Sequence, residues 1–399
     1  MRVLHLLSQK PGNTGSGMIL HALVEEARRC GHVQRTVFGW PEGDPLCKVG
    51  GMSEGLSPVS FETSPLDFPI PGMSDVMPYS SSVWSRLDEQ QLERYRKVFH
   101  EHIARQVEDF QPDIIHSHHL WLMSSLLRAL APDTPIILHC HATGLRQREL
   151  CPSLAEEVAL GCRLADHILV PLEDHMARVS RDLDFPMEKI SLLRPGLRED
   201  LFHLNKRRAK HGRLLYAGKL SKSKGLPQLL DAMRQLPDAH LVVAGSGSGE
   251  EAAELKVRME QMPQVHWRGP LTQGELADEM REAEVFVLPS FYEGLPLVLL
   301  EAAACGCRIV STALEGVRKT LAPVLGSKLE LVEPPAMCGI DTPETDALPA
   351  FTRRLEDSIR SSLGAESTDP PDLSSWSWPS VFARVERTWE LERKKNRFP

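Results

Sequence analysis

The sequence predicts an α/β protein made of two doubly wound domains with parallel sheets, and three observations predict it. The chain has 399 residues, of which 42% are hydrophobic and 25% charged, enough to bury two cores of ordinary domain size. Short apolar runs rich in β-branched residues alternate with amphipathic helical patterns, which is typical of parallel sheets. The alternation forms two series, separated by a break within residues 194–210.

The first series begins at residues 3–8, which predict a buried strand. A glycine-rich turn at 12–17 joins this strand to a helix over 18–30, and Gly31 is expected to end the helix. Further strands are predicted at 113–116, 135–141 and 166–170.

Residues 52–84 are rich in proline and have no regular period, yet they carry Phe61, Phe68 and Ile70. A disordered linker would be more polar than this segment. We interpret it as a packed surface insertion, and a loop that faces the substrate is the alternative.

The second series predicts strands at 213–218, 240–245, 265–268, 285–289 and 308–311, the last of which closes the set. A final helix is expected to begin near Ser377, with Val381, Val385 and Trp389 on its apolar face. This helix has no partner in its own series, so packing back on the first domain would bury that face. We therefore expect an N-terminal domain over 1–200, a C-terminal domain over 201–375 and a helix over 376–399 that crosses back.

Composition excludes several functional classes. The net charge is −8 and neither half of the chain is basic, which argues against a nucleic-acid partner. Eight cysteines without a Cys-x-x-Cys pair indicate reduced thiols in a cytoplasmic compartment. No stretch approaches the ~20 apolar residues of a membrane span, and the apolar start is too short for a signal peptide. We expect a cytoplasmic protein; peripheral contact with the inner face of a membrane and the oligomeric state stay open.

The most specific motif is Pro-Ser-Phe-Tyr-Glu-Gly-Leu-Pro-Leu-Val-Leu-Leu-Glu-Ala-Ala-Ala-Cys-Gly at residues 289–306. It predicts a strand end, a short turn and a helix that starts at Pro296, since the φ angle of proline suits the first helical position. Leu295 is a poor N-cap. The N–H groups of Leu297 and Val298 would therefore be free to bind an anion such as a diphosphate.

The two glutamates of this motif are candidate ligand contacts. Glu301 lies in an apolar helical run, where an unpaired carboxylate is costly unless hydroxyl groups or a cation meet it. Ribose hydroxyls would meet it. The alternative is that Glu301 pairs with a lysine and Glu293 faces solvent.

Three lysines follow the first strand of the second series, namely Lys219, Lys222 and Lys224. They lie at the carboxyl end of a strand, where open α/β sheets bind ligands. Positive charges there could hold a leaving diphosphate and offset its growing negative charge. A solvated basic loop is the alternative, and it is the preferred interpretation for Lys222.

Histidines are concentrated in the first half, with 12 of the 16 in residues 1–200. Alternate strand residues share a face, so the histidines at 116–119 and at 139–141 could be imagined around a metal ion. However, no carboxylate or cysteine spacing completes a zinc set, and strand-end histidines are more often hydrogen-bonded residues of a core or cleft. Neither Gly-x-Gly turn completes a dinucleotide fingerprint. We expect no metal and no other cofactor.

Four motifs of the second half, in order, resemble the retaining glycosyltransferases of family 4. They lie at 218–225, 241–247 and 265–269 and in the Glu293-x7-Glu301 segment. In the first half the resemblance rests on the Gly15-Ser-Gly17 turn and on the residues at 112–116 and 139–144. It implies the GT-B architecture, two Rossmann-like domains facing across a cleft, and transfer of a sugar from a nucleoside-diphosphate sugar to a hydroxyl acceptor.

The resemblance also implies roles for single residues. Lys219 and Lys224 would bind the donor diphosphate, and Glu301 the ribose. Glu293 would contact a hydroxyl of the donor sugar, and His141 a hydroxyl near the reacting carbon. The other donor-binding positions would be Gly15, Ser16 and Gly17 near the distal phosphate, Gly245, Ser246 and Arg268 along the nucleoside, and Gly294, Leu295, Leu297 and Val298 at the helix start.

The donor is expected to be a UDP- or GDP-sugar, and the acceptor stays open between a glycan, a lipid-linked and a small molecule. Three positions depart from the family pattern: Arg194 stands where many members have asparagine, Pro296 where glycine is common, and Lys219 where arginine is usual. A nucleotide-sugar epimerase of the same fold and a non-catalytic nucleotide-sugar-binding protein are the alternative functions.

Overall fold

The computed structural model describes residues 1–12, 14–74, 77–205, 209–365 and 370–397. The chain forms two compact units, the first comprising Met1–Gly196 and the residues from Trp378 onward, the second Leu197–Ser377. Residues 206–208 of the predicted break and the last two residues of the predicted final helix lie outside the described residues. Each unit carries its own parallel sheet, so the prediction of two parallel-sheet α/β domains is confirmed.

The first unit contains a seven-stranded sheet in the order β3-β2-β1-β6-β7-β8-β9 and a separate two-stranded sheet of β4 and β5. The strands are β1 (Arg2–Leu7), β2 (Val33–Pro41), β3 (Leu56–Phe61), β4 (Pro71–Gly72), β5 (Ser82–Val83), β6 (Ile114–His118), β7 (Ile136–His139), β8 (His167–Val170) and β9 (Ile190–Leu192). The helices are α1 (Gly15–Arg29), α2 (Glu89–Phe110), α3 (Leu122–Ser125), α4 (Leu127–Leu130), α5 (Ala142–Leu150), α6 (Pro152–Cys162) and α7 (Glu173–Leu183). The chain reverses its winding beside β1, where doubly wound sheets bind ligands.

The second unit contains a six-stranded parallel sheet in the order β12-β11-β10-β13-β14-β15. The strands are β10 (Arg213–Ala217), β11 (His240–Ala244), β12 (Val265–Gly269), β13 (Val285–Leu288), β14 (Arg308–Thr312) and β15 (Leu329–Val332). The helices are α8 (Leu226–Met233), α9 (Gly249–Glu260), α10 (Gln273–Glu282), α11 (Val298–Ala304), α12 (Ala322–Leu325) and α13 (Leu348–Ser362). The prediction that the strand at 308–311 closes the set is wrong, because the short edge strand β15 pairs with β14.

The last helix, α14 (Trp378–Arg397), packs on one face of the first sheet. Its apolar side chains Val381, Val385 and Trp389 are buried in one cluster with residues of β1, β6, β7 and α1. The strands of the first unit thus cover the helix face that has no partner in its own series. None of the helices within the described part of the chain has the length and apolar character of a transmembrane span.

The segment at 52–84 is part of the first core. Phe61, Phe68 and Ile70 are buried, and the ring centroid of Phe61 lies 6.2 Å from that of Phe99 in α2. The prediction of an irregular surface insertion is wrong for β3 (Leu56–Phe61), which pairs with β2 in the main sheet. The aromatic side chains of the segment pack into the core, and residues 75 and 76 lie outside the described residues.

Candidate functional site

The loops at the carboxyl end of the second sheet are tied to one another by backbone hydrogen bonds. The Leu220 N–H donates to the Ser246 carbonyl at 3.1 Å, which joins the loops after β10 and β11. The Phe291 N–H donates to the Ser223 carbonyl at 2.9 Å, which joins the loops after β10 and β13. The predicted donor-binding segments of this unit therefore share one connected edge.

Two glycines allow these loops to approach closely. Gly225 has a φ of +66°, and a Cβ atom added there would lie 2.0 Å from the Pro289 carbonyl oxygen. Gly245 has a φ of +141°, and its Cβ would lie 1.9 Å from the Gly218 carbonyl oxygen. Both positions therefore require glycine for the backbone angle and for the space.

We expect Gly225→Ala to lower the free energy of unfolding by about 2–5 kcal/mol, since it combines a left-handed backbone with a clash against the next loop. Gly249→Ala is the matched control, because Gly249 has a φ of +83° but no neighbouring atom within 4 Å of an added Cβ. That variant should lose only about 1–2 kcal/mol. Urea unfolding measures both, and equal losses would show that the close approach to Pro289 adds nothing.

Lys224 and Glu293 form an ion pair across this edge. The Lys224 Nζ donates to Glu293 Oε1 at 2.8 Å and to the Tyr292 carbonyl at 3.2 Å. Their side chains are only 23% and 20% exposed. Glu293 therefore does not simply face solvent, and the structure brings together the residues predicted to contact the diphosphate and the donor sugar.

Lys219 lies earlier in the same loop and is exposed. Its carbonyl accepts a hydrogen bond of 2.7 Å from the buried hydroxyl of Tyr216, which anchors the loop. Tyr216 was not among the predicted site residues; its place near the end of a predicted strand, two residues before Gly218, is the signal that could have found it. Lys222 is also exposed, and its N–H donates to the Glu251 carboxylate.

Glu301 lies in α11, and within the described ranges no side chain or backbone group forms a hydrogen bond or ion pair with its carboxyl group. The alternative that it pairs with a lysine is therefore wrong for this structure. Burial raises the pKa of the Glu301 carboxyl to about 7. Hydroxyl groups of a ligand could supply the hydrogen bonds that this carboxyl lacks.

Glu301→Gln is expected to stabilise the free protein above pH 7. The pKa of Glu301 in the folded chain, about 7, exceeds its ordinary value of 4.5. The folded state therefore holds a proton that the unfolded state loses, and the free energy of unfolding falls as the pH rises from about 4.5 to 7. Glutamine loses no proton, so we expect a gain of about 1–3 kcal/mol at pH 8 and little change at pH 4.

Chemical denaturation at both pH values measures this difference, and Glu254→Gln, at an exposed position in α9, is the matched control. A Glu301→Gln effect that is the same at pH 4 and pH 8 would contradict the raised pKa.

The start of α11 differs from the prediction. The helix begins at Val298 and not at Pro296, and the Leu297 N–H donates to the Leu295 carbonyl at 3.0 Å. The prediction of a free amide at Leu297 is therefore wrong, because a tight turn around the proline supplies an acceptor. Gly294, just before this turn, borders open space.

The residues predicted to lie along the nucleoside already have protein partners. The Arg268 guanidinium lies 3.3 Å from the Glu279 carboxylate and is 44% exposed. The Gly245 carbonyl accepts a hydrogen bond of 3.0 Å from the Trp267 indole. Contacts within the protein therefore already fix the positions of the Arg268 guanidinium and the Gly245 carbonyl.

In the first unit, Gly15, Ser16 and Gly17 form the first turn of α1, so the prediction of a separate turn there is wrong. Thr14 explains the early start, because its hydroxyl caps the helix by accepting from the Gly17 N–H at 3.1 Å. The Ser16 hydroxyl donates to the Gln9 side-chain oxygen at 3.1 Å. The N–H of Gly17 therefore already has a hydrogen-bond acceptor in the Thr14 hydroxyl.

Five histidines of the first unit stack in a row on one side of the sheet, and their ring centroids are spaced by 4.8–6.0 Å. The row consists of His5, His116, His118, His139 and His141. Strand register places His5 beside His116 and His118 beside His139. Burial lowers the pKa of His5 and His139 to about 4, so these imidazoles are neutral at pH 7. His141, at the start of α5, is partly exposed.

The chain has the GT-B fold, which consists of two doubly wound units with parallel sheets. The second unit carries the Lys224–Glu293 pair at the carboxyl edge of its sheet. Residues 14–196 match the model of the glycosyl transferase 4-like domain, and residues 198–326 match that of the glycosyl transferases group 1. The chain belongs to the GT-B glycosyltransferases of the family 4 type. The resemblance to the glycosyltransferases of family 4 is thereby confirmed.

Among curated proteins, the chain is 29% identical over 241 residues to D-inositol 3-phosphate glycosyltransferase of Streptomyces bingchenggensis. This alignment covers 51% of the chain and 52% of the relative, so the match spans about half the length of that relative. Two solved structures share the fold. Sucrose-phosphate synthase from Thermosynechococcus elongatus has a TM-score of 0.65 at 19% identity, with 98% of both chains covered. Anabaena HepE in complex with UDP has a TM-score of 0.67 at 12% identity, covering 98% of this chain and 100% of HepE.

Proposed function

We propose that this protein is a retaining glycosyltransferase that moves a sugar from a nucleoside-diphosphate sugar to a hydroxyl acceptor. The observation that carries the proposal is the Lys224–Glu293 pair, with 2.8 Å between Nζ and Oε1, on the connected edge of the second sheet. Glu301, whose carboxyl lacks a partner within the described ranges, follows in the same motif. Membership of the family supports the same activity.

Donor binding rearranges this ion pair. Lys224 exchanges the Glu293 carboxylate for an oxygen of the donor diphosphate, so its ammonium keeps an anionic partner in both states. The released Glu293 carboxylate accepts a hydrogen bond from a hydroxyl of the donor sugar. Lys219 adds a second positive charge to the diphosphate, and the Glu301 carboxyl bonds to the ribose hydroxyls. With two lysines on the diphosphate, the donor needs no metal ion.

Transfer occurs on the face from which the diphosphate leaves. The bond from the anomeric carbon to the phosphate oxygen breaks, the bond to the acceptor oxygen forms on the same face, and a phosphate oxygen takes the acceptor proton. The protein orients the donor and stabilises the charge on the leaving diphosphate.

UDP is the nucleotide that we propose, because the structurally similar HepE is described in complex with UDP. GDP is the alternative. The proposed chemistry requires an acceptor with a hydroxyl group. Because the Streptomyces relative is named D-inositol 3-phosphate glycosyltransferase, a small polyol phosphate should be among the acceptors that are tested. We place the reaction in the cytoplasm, in keeping with eight cysteines among which there is no Cys-x-x-Cys pair.

A thermal-shift screen of the full chain with UDP, GDP and ADP tests the donor site. A ligand at 100 times its Kd raises the free energy of unfolding by about 2.7 kcal/mol, and we expect UDP to produce such a shift. Glu301→Ala should lose it. The absence of a shift with every nucleotide would contradict the proposal.

Incubation of UDP-sugars with a panel of hydroxyl acceptors tests the reaction. We expect release of UDP and, by NMR, a product with the anomeric configuration of the donor. Interconversion of the free nucleotide-sugar without acceptor would identify an epimerase instead. Binding of the donor without release of UDP, with any acceptor or with water, would identify a binding protein.

A further inference from the structure

The carboxyl ends of β6 and β7 bring three histidine side chains together within the first unit. His118 and His139 are register partners on adjacent parallel strands, and His141 lies two residues beyond His139. One nitrogen from each of the three rings lies within 4.8 Å of the other two. The closest recorded approach joins His118 Nδ1 and His141 Nε2 at 3.1 Å.

These distances approach those of a metal centre. A tetrahedral zinc ion with Zn–N bonds of about 2.0–2.1 Å holds its ligand nitrogens about 3.3–3.4 Å apart. The three rings stack with interplanar angles of 7–18°, so their lone pairs do not yet point at one centre. Rotation about the Cβ–Cγ bonds would bring them together, and this torsion has broad minima in histidine.

Among the residues that the structure describes, His118 Nε2 and His139 Nδ1 are buried and have no hydrogen-bond partner, whereas His118 Nδ1 and His141 Nε2 are hydrogen-bonded to each other. A buried polar atom without a partner carries a desolvation cost that a ligand can remove.

We propose that His118, His139 and His141 form a binding site for a divalent transition-metal ion of the zinc class. Imidazole ligands suit Zn²⁺, Cu²⁺ and Ni²⁺ and disfavour Mg²⁺ and Ca²⁺. Three histidines are a sufficient protein set for zinc when water fills the fourth position. The site differs from the sequence-based expectation, which required a carboxylate or cysteine to complete the set.

Zinc binding is measured by titrating ZnCl₂ into the full chain after treatment with chelator and buffer exchange, with a chromogenic chelator as competitor. We expect one tight site per chain. His139→Ala and His141→Ala should each weaken binding by at least about 100-fold. His100→Ala, at an exposed position in α2 of the same unit, is the matched control and should bind like the unsubstituted chain.

Circular dichroism without metal shows whether each variant folds. If the buried His139→Ala variant does not fold, Co²⁺ bound to the unsubstituted chain decides the question. The intense visible bands of tetrahedral Co²⁺ are the expected result, and their absence would overturn the proposal. Tight zinc binding that survives in folded His141→Ala, or no tight site in the unsubstituted chain, would also overturn it and leave the expectation of no metal standing. The titration uses neither donor nor acceptor, so its failure leaves the proposed transferase function untouched.

Discussion

Lys224→Ala is expected to lower the turnover of sugar transfer by about 10²–10³-fold while the chain stays folded. The Nζ of Lys224 is held at the edge of the second sheet by Glu293 and by the Tyr292 carbonyl. In the proposed reaction this ammonium meets the negative charge that grows on the leaving diphosphate, an interaction that is stronger in the transition state than in the ground state. Its removal should therefore reduce kcat and kcat/KM together.

Lys222→Ala is the matched control, since it removes the same charge from an exposed position in the same loop. Its turnover should stay within about threefold of the unsubstituted enzyme. Loss of Lys224 leaves Glu293 without its cation, but this carboxylate is 20% exposed and water can solvate it. A Lys224→Ala variant with unchanged kcat and only a raised KM would show that the lysine binds the ground state and does not stabilise the leaving group.

Trp389→Ala is expected to lower the free energy of unfolding by about 3–5 kcal/mol. The indole of Trp389 in α14 is fully buried, and its ring lies edge-on to that of Phe382. Its N–H donates to His116 Nδ1 at 3.1 Å, which joins the last helix to the first sheet. Truncation removes both the apolar contacts and this hydrogen bond.

Two further variants separate these contributions. Trp389→Phe keeps an aromatic ring and loses the N–H, so it should cost about 1–3 kcal/mol. Leu391→Ala removes a large apolar side chain that is 56% exposed on the same helix, and its effect should stay within about 0.5 kcal/mol. Urea unfolding measures all three variants. A Trp389→Ala loss no greater than that of Leu391→Ala would show that the helix contributes little to the stability of the first unit.

Central strands could be predicted from the sequence because a parallel strand covered on both faces consists of consecutive apolar residues. All four residues of β13, for example, are buried. The strands β2, β3, β9 and β15 were missed because they lie at or next to the edges of the sheets and contain polar residues or proline. Helix α2 was also missed, although Leu92, Tyr95, Phe99 and Ile103 have the spacing of a buried helical face and could have revealed it.

Among the site residues, too, some features could be predicted from the sequence and others could not. The lysines and glutamates could be selected as candidates from their positions after strands and in an apolar helix. The hydrogen bond that closes the turn before Val298 could not be predicted, because it depends on how the backbone bends around Pro296. Nor could the sequence show that the Glu301 carboxyl lacks a hydrogen-bond or ion-pair partner among the described residues, since that depends on where the fold places the cationic side chains.

By itself, the sequence determined the alternation of strands and helices, the parallel sheets and the identity of the charged groups at the strand ends, because hydrophobic period and turn chemistry are local properties. Only the tertiary structure decided that Lys224 pairs with Glu293, 69 residues away, and that histidines from separate strands lie in one row. Such contacts join residues far apart in the chain. They follow from strand order and register, which local periodicity does not specify.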